Sequence, residues 1–424
     1  MSVHWGGPGA GHVSRWSVAT TGVPVLSLDF LTSNTLDPRI TFTRSTTATF
    51  VGSNGLIQTA AINAPRFDYN PVTLAPNGLL IEEQRANLLT YSDQFNDISW
   101  TKATAVITAN NLTSPDGTQN ADSYIQTIGT TGEILRAANI TVTANADFSI
   151  SGFFKAVSTT PAVSLYATAG GNGFRVVANL STGAVVSSGA LGTGTFTAGS
   201  VRAFGNGWYL VSATGKLATG VTTGQWRAAM IDLALNPVVG NGAKGLGLWG
   251  AQLEQASFST SYIPTVASTV TRAADIASMT GTNFSSWYNQ SEGTIVVQAI
   301  AYGNKASSTL ARIQDAAATT NYITARQSAG GTQILGQTSS SGGLTAGLAA
   351  TNFTLGVPFK ITVACAPSNS AVSVNGGSVG TSAAMTTMPV VDRLNISEGG
   401  PFYIRTLTYY PSRLSDAQLQ ALTA

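Results

Sequence analysis

The chain has 424 residues, of which 43% are hydrophobic and only 9% are charged, and its formal net charge is +2. A single core rarely grows beyond about 250–300 residues, so this length predicts two or three domains. Typical soluble domains carry about 25% charged residues, while disordered chains combine high charge with low hydrophobicity, so the composition excludes disorder. No Lys or Arg cluster offers the charge that a nucleic-acid surface needs, and we expect no nucleic-acid partner.

The N-terminal segment, residues 1–22, contains Trp5 and Trp16 among many glycines. It lacks the basic and apolar regions of a secretion signal, and no apolar run in the chain reaches the roughly 20 residues of a membrane span. We therefore expect synthesis in a cytoplasm and no membrane partner. Two interpretations of the segment remain open: a tail packed on its own domain, or an arm that anchors Trp5 and Trp16 in a neighbouring subunit.

Short hydrophobic segments separated by turn residues fill residues 23–90. Residues 25–30 and 40–43 predict strands, because alternation with a period of two is typical of a half-buried strand. Asn54-Gly55 and Asn77-Gly78 predict turns. This part of the chain is a predicted N-terminal β region.

Two longer β domains are predicted after it, over residues 91–275 and 276–424. The clearest predicted strands lie at residues 147–154, 174–180, 208–213, 245–253, 294–299, 359–363 and 371–374. Many short strands without helical patterns between them favour sandwiches or jelly rolls. The predicted fold class is all-β, with tandem β-sandwich or jelly-roll domains and a short C-terminal helix.

That helix is predicted over residues 416–422. Ser415 and Gln418 have the spacing of a capping box, and Leu414 and Leu419 occupy the two positions of a hydrophobic staple. A helix this short needs to dock on the neighbouring sandwich, because isolated helices of this length do not persist.

The sequence gives little support for catalysis. Both histidines, His4 and His12, lie in the N-terminal segment, and no G-x-S-x-G elbow is present. Glu82 and Glu83 are adjacent on a predicted strand, so they point to opposite faces and cannot flank one glycosidic bond. We expect a protein that is not an enzyme.

Those two carboxylates are instead expected to form charge pairs that tie the early strands together. The residues assigned to these pairs are Glu82, Glu83, Arg39, Arg66 and Arg85.

Three groups of motifs resemble a recurrent pattern in phage tail-fibre and head-fibre proteins that carry a jelly roll similar to carbohydrate-binding modules. They are LDPRITFTRST at residues 36–46; PRFDY at 65–69 with GLLIEEQR at 78–85; and WGAQLE at 249–254 with SYIPT at 261–265 and TRAAD at 271–275. The C-terminal residues 403–415 resemble the closing strand and helix of laminin-G or concanavalin-like sandwiches. Together the resemblances cover residues 23–424.

The resemblance implies a bacteriophage virion structural protein, made in the bacterial host cytoplasm. It implies a fibre or spike that adheres to host surface glycans, a homotrimer, other virion proteins as partners, and a virion-anchoring role for residues 1–22. Two alternatives remain: a head decoration or capsid fibre protein without a receptor role, and a polysaccharide depolymerase. The depolymerase would show a cleft with two acidic groups.

Aromatic side chains are the sequence candidates for sugar binding, because their flat faces stack on the apolar side of a pyranose ring. The candidates are Trp100, Trp226, Trp287 and Tyr288. For each of them a place in a hydrophobic core is the alternative interpretation.

Jelly rolls of the resembled type often hold a structural calcium ion, which needs several oxygen ligands. The segment of residues 114–122 is the densest in oxygen-bearing side chains and contains Asp116 and Asp122. A plain turn with an aspartate at its tip is the alternative.

Overall fold

Antiparallel β-strands make up nearly all regular structure in the computed structural model, which describes residues 22–136, 140–158, 162–316, 320–341 and 343–424. The all-β prediction is confirmed. Of the predicted anchoring arm, only Gly22 is described; Trp5 and Trp16 lie outside the described residues.

Seven strands precede residue 90: β1 (Leu26–Asp29), β2 (Thr41–Thr43), β3 (Ala48–Val51), β4 (Ile57–Ala60), β5 (Phe67–Tyr69), β6 (Pro76–Ile81) and β7 (Arg85–Asn87).

Thirteen more follow up to residue 254: β8 (Trp100–Lys102), β9 (Ala105–Leu112), β10 (Ala121–Gln126), β11 (Glu133–Arg136), β12 (Ile140–Thr141), β13 (Phe148–Val157), β14 (Ala162–Ala169), β15 (Asn172–Asn179), β16 (Val185–Leu191), β17 (Thr195–Ala203), β18 (Trp208–Lys216), β19 (Thr223–Ile231) and β20 (Gly245–Glu254). A 3₁₀ turn, Gly205–Gly207, precedes β18.

The last part of the chain contains β21 (Val270–Arg272), β22 (Ile276–Thr280), β23 (Gly293–Ala301), β24 (Thr309–Gln314), β25 (Tyr322–Gln327), β26 (Gln333–Ser340), β27 (Gly343–Asn352), β28 (Pro358–Cys365), β29 (Ser370–Val374), β30 (Gly380–Ser382), β31 (Arg393–Glu398) and β32 (Phe402–Tyr410), with helices α1 (Thr282–Ser285) and α2 (Asp416–Thr423).

Strands β8–β20 form a jelly roll of two facing sheets. The inner sheet has the order β17-β18-β13-β20-β10-β9, and the outer sheet has the order β16-β15-β14-β19-β11-β8, with β12 also paired to β19. Alternate residues of both sheets fill the core between them, such as Ile150 and Phe154 on β13 of the inner sheet and Phe174 and Trp226 on the outer sheet. The other face of the inner sheet buries Phe153 and Trp249 against the rest of the molecule.

A second sandwich combines the C-terminal strands with strands from the N-terminal β region. One sheet has the order β30-β29-β28-β23-β32-β6-β5, with β1 also paired to β32; the other has the order β2-β22-β31-β24-β25-β26-β27. Thus β1, β2, β5 and β6 complete sheets whose other strands lie after residue 275. The remaining early strands form a β3–β4 hairpin and a β7–β21 pair.

The turn predicted at Asn77-Gly78 is wrong, because both residues lie within β6. Gly78 has a φ of 119°, and a Cβ atom there would lie 2.4 Å from the carbonyl oxygen of Ile404 on β32. Glycine is therefore needed for close strand approach rather than for a turn. Asn77 donates its side-chain amide to Asp68 at 2.9 Å.

The C-terminal helix and its cap are confirmed. Ser415 accepts a hydrogen bond from the backbone of Gln418, and the Gln418 side chain accepts one from the backbone of Ser415. Leu414 and Leu419 are both buried in one apolar cluster, which docks the helix. Within the described ranges, no helix is long and apolar enough to span a membrane.

Candidate functional site

Five buried charged side chains form an ion network between the two sandwiches. Its members come from segments far apart in the sequence and are Arg44, Arg66, Glu82, Arg272 and Asp275. Asp275 pairs with Arg44 at 2.9 Å and also with Arg66. Glu82 pairs with Arg66 at 2.7 Å and also with Arg272.

The carboxylate of Glu82 is the most heavily bonded group of the network. Its Oε1 accepts the backbone N–H of Ser261 at 2.8 Å and the hydroxyl of Tyr302 at 3.1 Å. Burial raises its pKa, but Arg272 and Arg66 more than offset this and hold the pKa at about 2. Glu82 is therefore ionised at neutral pH and has no proton to donate.

The charge pairs predicted between early strands are partly confirmed. Glu82 pairs with Arg66, and Glu83 pairs with Arg85. Arg39 pairs instead with Asp37 in its own turn, at 2.7 Å. This pair and Glu83–Arg85 each join residues two positions apart, so only the Glu82–Arg66 pair confirms the prediction, and the prediction for Arg39 is wrong.

A cleft of about 570 Å³ adjoins the network and lies between the inner sheet of the jelly roll and the second sandwich. Two carboxylates, Asp68 and Glu82, line it, as the depolymerase alternative requires. Their side chains do not fit that chemistry: Asp68 is 3% exposed and Glu82 1% exposed. The oxygens of Asp68 already accept the N–H of Val51 and the amide of Asn77, each at 2.9 Å.

Trp100 and Trp226 lie in the jelly-roll core, which corrects their assignment as sugar-binding residues. They are 1% and 0% exposed and meet edge to face with ring centroids 5.4 Å apart. Each indole N–H donates to a backbone carbonyl, that of Tyr91 at 2.8 Å and that of Ser151 at 3.0 Å. No ring face remains for a sugar.

Trp287 and Tyr288 pack into the core of the second sandwich, so their assignment is corrected in the same way. Trp287 is 6% exposed and contacts Tyr409 with ring centroids 5.0 Å apart. Tyr288 stacks on Phe284 at 4.7 Å and lies against Tyr409 on another side.

A polar and aromatic row lies on the face of the outer sheet that points away from the core; we call it the open face. Tyr166 on β14 stands directly opposite Arg175 on β15 and Arg227 on β19. The alternation of each strand fixes this orientation, because the neighbours Leu165, Phe174 and Trp226 fill the core. The row borders a cavity of about 430 Å³.

The groups of the open face are held in place by one another. The guanidinium of Arg227 lies 5.1 Å from the centre of the Tyr166 ring. Glu133 pairs with Arg227 and accepts the hydroxyl of Tyr166. The side chain of Arg175 has no ion pair or hydrogen bond within the described part of the chain, so its charge is available to a ligand.

One signal for this site is present in the sequence, in the adjacency of Trp226 and Arg227. Neighbours on one strand point to opposite faces, so a core position for the tryptophan places the arginine on the outside. The pairing that brings Tyr166 and Arg175 beside Arg227 depends on strand register, which one sequence does not reveal.

The oxygens of Asp116 and Asp122, the predicted calcium ligands, accept hydrogen bonds from neighbouring groups. Asp116 accepts the N–H of Thr118 at 2.8 Å and the amide of Asn120 at 3.1 Å, as an aspartate that stabilises its own turn does. Asp122 accepts the N–H groups of Asn110 and Asn96 at 3.0 and 3.2 Å. Among the residues described, no three His, Cys, Asp or Glu side chains are grouped to hold a metal, and calcium stays a prediction.

Comparison with known proteins does not assign the chain to a family. No family model matches it, and no curated protein matches it.

Among solved structures, the chain is similar to the CBM40 module of the Ruminococcus gnavus IT-sialidase bound to α2,6-sialyllactose, with 15% identity, a TM-score of 0.28, and coverage of 34% of this chain and 88% of the module. It is also similar to the Trypanosoma rangeli sialidase, with 13% identity, a TM-score of 0.26, and coverage of 35% of this chain and 25% of the sialidase. A third neighbour is the binding domain of Botulinum neurotoxin DC in complex with SialylT, with 11% identity, a TM-score of 0.26, and coverage of 35% of this chain and 39% of that one. Likenesses at these TM-scores carry no functional argument.

The first prediction concerns the ion network. Asp275→Asn leaves Arg44 and Arg66 without this carboxylate, and breaking a buried pair in this way costs about 3–5 kcal/mol. We expect urea unfolding to show a loss of that size. The control is Asp37→Asn, which removes a partly exposed local pair and should cost under about 1 kcal/mol. An Asp275→Asn protein as stable as this control would contradict the assigned role.

The second prediction concerns Asp93, whose pKa is raised to about 6 by burial, with smaller contributions from Asp122 and Asp116. The pKa of an Asp in the unfolded chain is about 3.9. Ionising Asp93 therefore destabilises the folded state by an amount that grows between about pH 4 and pH 6 and stays constant at higher pH. Asp93→Asn should therefore stabilise the protein at pH 7.5, by at most about 3 kcal/mol at 1.36 kcal/mol per pKa unit. The gain should vanish near pH 4.

Thermal melting at the two pH values measures this difference. Asp147→Asn is the control, because the Asp147 side chain is 38% exposed. A gain for Asp93→Asn that is equal at both pH values would show that the raised pKa is not its cause.

Proposed function

We propose that this chain is a bacteriophage fibre or spike protein that adheres to host surface glycans without cleaving them, and that its jelly roll binds acidic sugars on the open face. The observation that carries the glycan proposal is the row of Arg175, Tyr166 and Arg227 beside a cavity of about 430 Å³. An aromatic ring flanked by charged hydrogen-bond donors is suited to a sugar ring that carries a carboxylate.

The acidic class follows from the charges of the row. Glu133 neutralises Arg227, but nothing within the described residues neutralises Arg175. A guanidinium binds a carboxylate through two parallel hydrogen bonds, which gives both affinity and orientation. A neutral sugar would leave the charge of Arg175 unpaired.

Binding without turnover is supported by the state of the two cleft carboxylates. Glu82, with a pKa of about 2 and ion pairs to Arg66 and Arg272, is neither exposed nor free to act. A glycosidase needs one carboxyl group that donates a proton and a second that reaches the sugar.

The virion role rests on the motifs that resemble phage fibre proteins, and their residues have a clear structural task. Arg44, Arg66, Glu82, Arg272 and Asp275 all belong to those motifs and together form the buried ion network. The homotrimer, the partner virion proteins and the anchoring role of residues 1–22 belong to the same proposal.

The third prediction tests glycan binding. Arg175→Gln should weaken binding to an acidic capsular polysaccharide at least about tenfold, the worth of a charged hydrogen bond, as measured by affinity electrophoresis. Neutral dextran should not be bound, and no reducing ends should be released from either polymer. Arg393→Gln is the control, since Arg393 pairs with Asp392 on the second sandwich.

Equal binding by the Arg175 and Arg393 variants would overturn the open-face site. Release of reducing ends by the wild-type protein would overturn the non-enzymatic role and favour the depolymerase.

The fourth prediction tests the anchoring arm. Deletion of residues 1–22 should leave the melting curve unchanged and prevent incorporation into particles, measured by copy number in purified virions. Incorporation at the normal copy number would place the anchor elsewhere. A map of the intact particle distinguishes a tail fibre from a head decoration protein.

A further inference from the structure

The cleft between the two sandwiches has a floor built from the outward face of the inner sheet. Ser151, Ser200 and Ser212 stand directly opposite one another on β13, β17 and β18. The next row, two residues along, contains Arg202, opposite Leu210. Rows two residues apart are about 7 Å from each other, which is the width of a sugar ring with its substituents.

Arg202 is a cation of the cleft without an ion-pair partner. It forms no ion pair within the described residues; its guanidinium interacts with the hydroxyl of Tyr403, but its buried Nη2 has no hydrogen-bond partner there. Its guanidinium lies over the ring of Phe204, 5.2 Å from the centroid, which holds it in place. A buried donor without an acceptor is costly, so an acceptor that enters the cleft is favoured at this nitrogen.

The carboxylate of Asp68, which also lines the cleft, does not supply that partner. Both of its oxygens are bonded to Val51 and Asn77. Burial raises its pKa and the charge of Arg202 offsets this only in part, so the two groups interact without forming a pair. The ion network behind the cleft adds to the positive charge, because it contains three arginines and two carboxylates. An entering anion is therefore favoured beside Arg202.

The walls opposite the serine floor are aromatic. Phe258 and Tyr302 line the cleft and meet edge to face with centroids 6.0 Å apart. Between the walls and the floor, Ser259 has a buried hydroxyl without a partner among the described residues. The cleft thus combines apolar surfaces that can contact a sugar ring, serine hydroxyls that can bond to the sugar hydroxyls, and one guanidinium.

We propose that this cleft is a second binding site, separate from the open face, that takes a single sugar unit bearing a carboxylate, with Arg202 pairing the carboxylate and the serine floor bonding the ring hydroxyls. The ligand class rests on the proposed function, but the site does not share a residue with the open face. The volume of about 570 Å³ admits a sugar ring with its substituents, so the cleft binds the terminal unit of a sugar chain.

Isothermal titration of the full-length protein tests the proposal with methyl glycosides of glucuronic acid, galacturonic acid and N-acetylneuraminic acid, and with methyl glucoside as the neutral probe. At least one acidic probe should bind to the Arg175→Gln protein, in which the open-face site is impaired and the cleft is intact. Arg202→Gln in that background should weaken this binding at least about tenfold, the loss expected for a charged hydrogen bond. Ser200→Tyr, which fills the cleft from the edge strand, should abolish it.

The outcomes separate the two sites. Binding that survives Arg175→Gln but is lost with Arg202→Gln supports the cleft even if the open face binds nothing. Binding that Arg175→Gln abolishes and Arg202→Gln leaves unchanged overturns the cleft and leaves the open face intact. No binding of any acidic probe to the Arg175→Gln protein at millimolar concentration also overturns it, provided that melting temperatures show both variants to be folded.

Discussion

Two carboxylates shared among three arginines determine how the parts of this protein fit together. Asp275 lies between Arg44 and Arg66, and Glu82 lies between Arg66 and Arg272. Buried charges are tolerated only when they are paired and hydrogen-bonded. All the contributing segments must therefore be in place together for each charge to find its partner. The network specifies the arrangement of the two sandwiches more than it stabilises them.

This arrangement assigns different tasks to the two sheets of the jelly roll. The outward face of the inner sheet is covered in part by the rest of the molecule, where Phe153 and Trp249 are buried, and it forms the floor of the cleft. The second face of the outer sheet borders a cavity, and the half-buried side chains of Tyr166, Arg175 and Arg227 lie along it. Of the two arginines, Arg227 is paired with Glu133, whereas Arg175 has no ion pair among the described residues.

The fold was predictable from the sequence where hydrophobic residues alternate with a clear period of two. The candidate site was not predictable. Residues 174–180 and 245–253 were correctly identified as strands, and Ser415 and Gln418 correctly marked the last helix. The prediction of aromatic sugar-binding residues was wrong because residue type alone does not distinguish a core tryptophan from an exposed one. Trp100 and Trp226 lie in the core, while the side chains of the proposed site are on the outward face of the sheet. The joining of the N-terminal strands to the last ones, through pairings such as Leu26 with Tyr409, leaves no local trace in a sequence.

That joining has a consequence for synthesis on the ribosome. Strand β32 pairs with β6 and β1 along one edge, so these two early strands obtain this partner only when residues 402–410 have emerged. The jelly roll, with all its sheet partners between residues 100 and 254, can fold while the chain is still growing. The first strands meanwhile present unpaired edges for most of translation, which makes them the segment most exposed to pairing with another nascent chain. Their shortness, three to six residues each, limits that hazard until the last strand arrives.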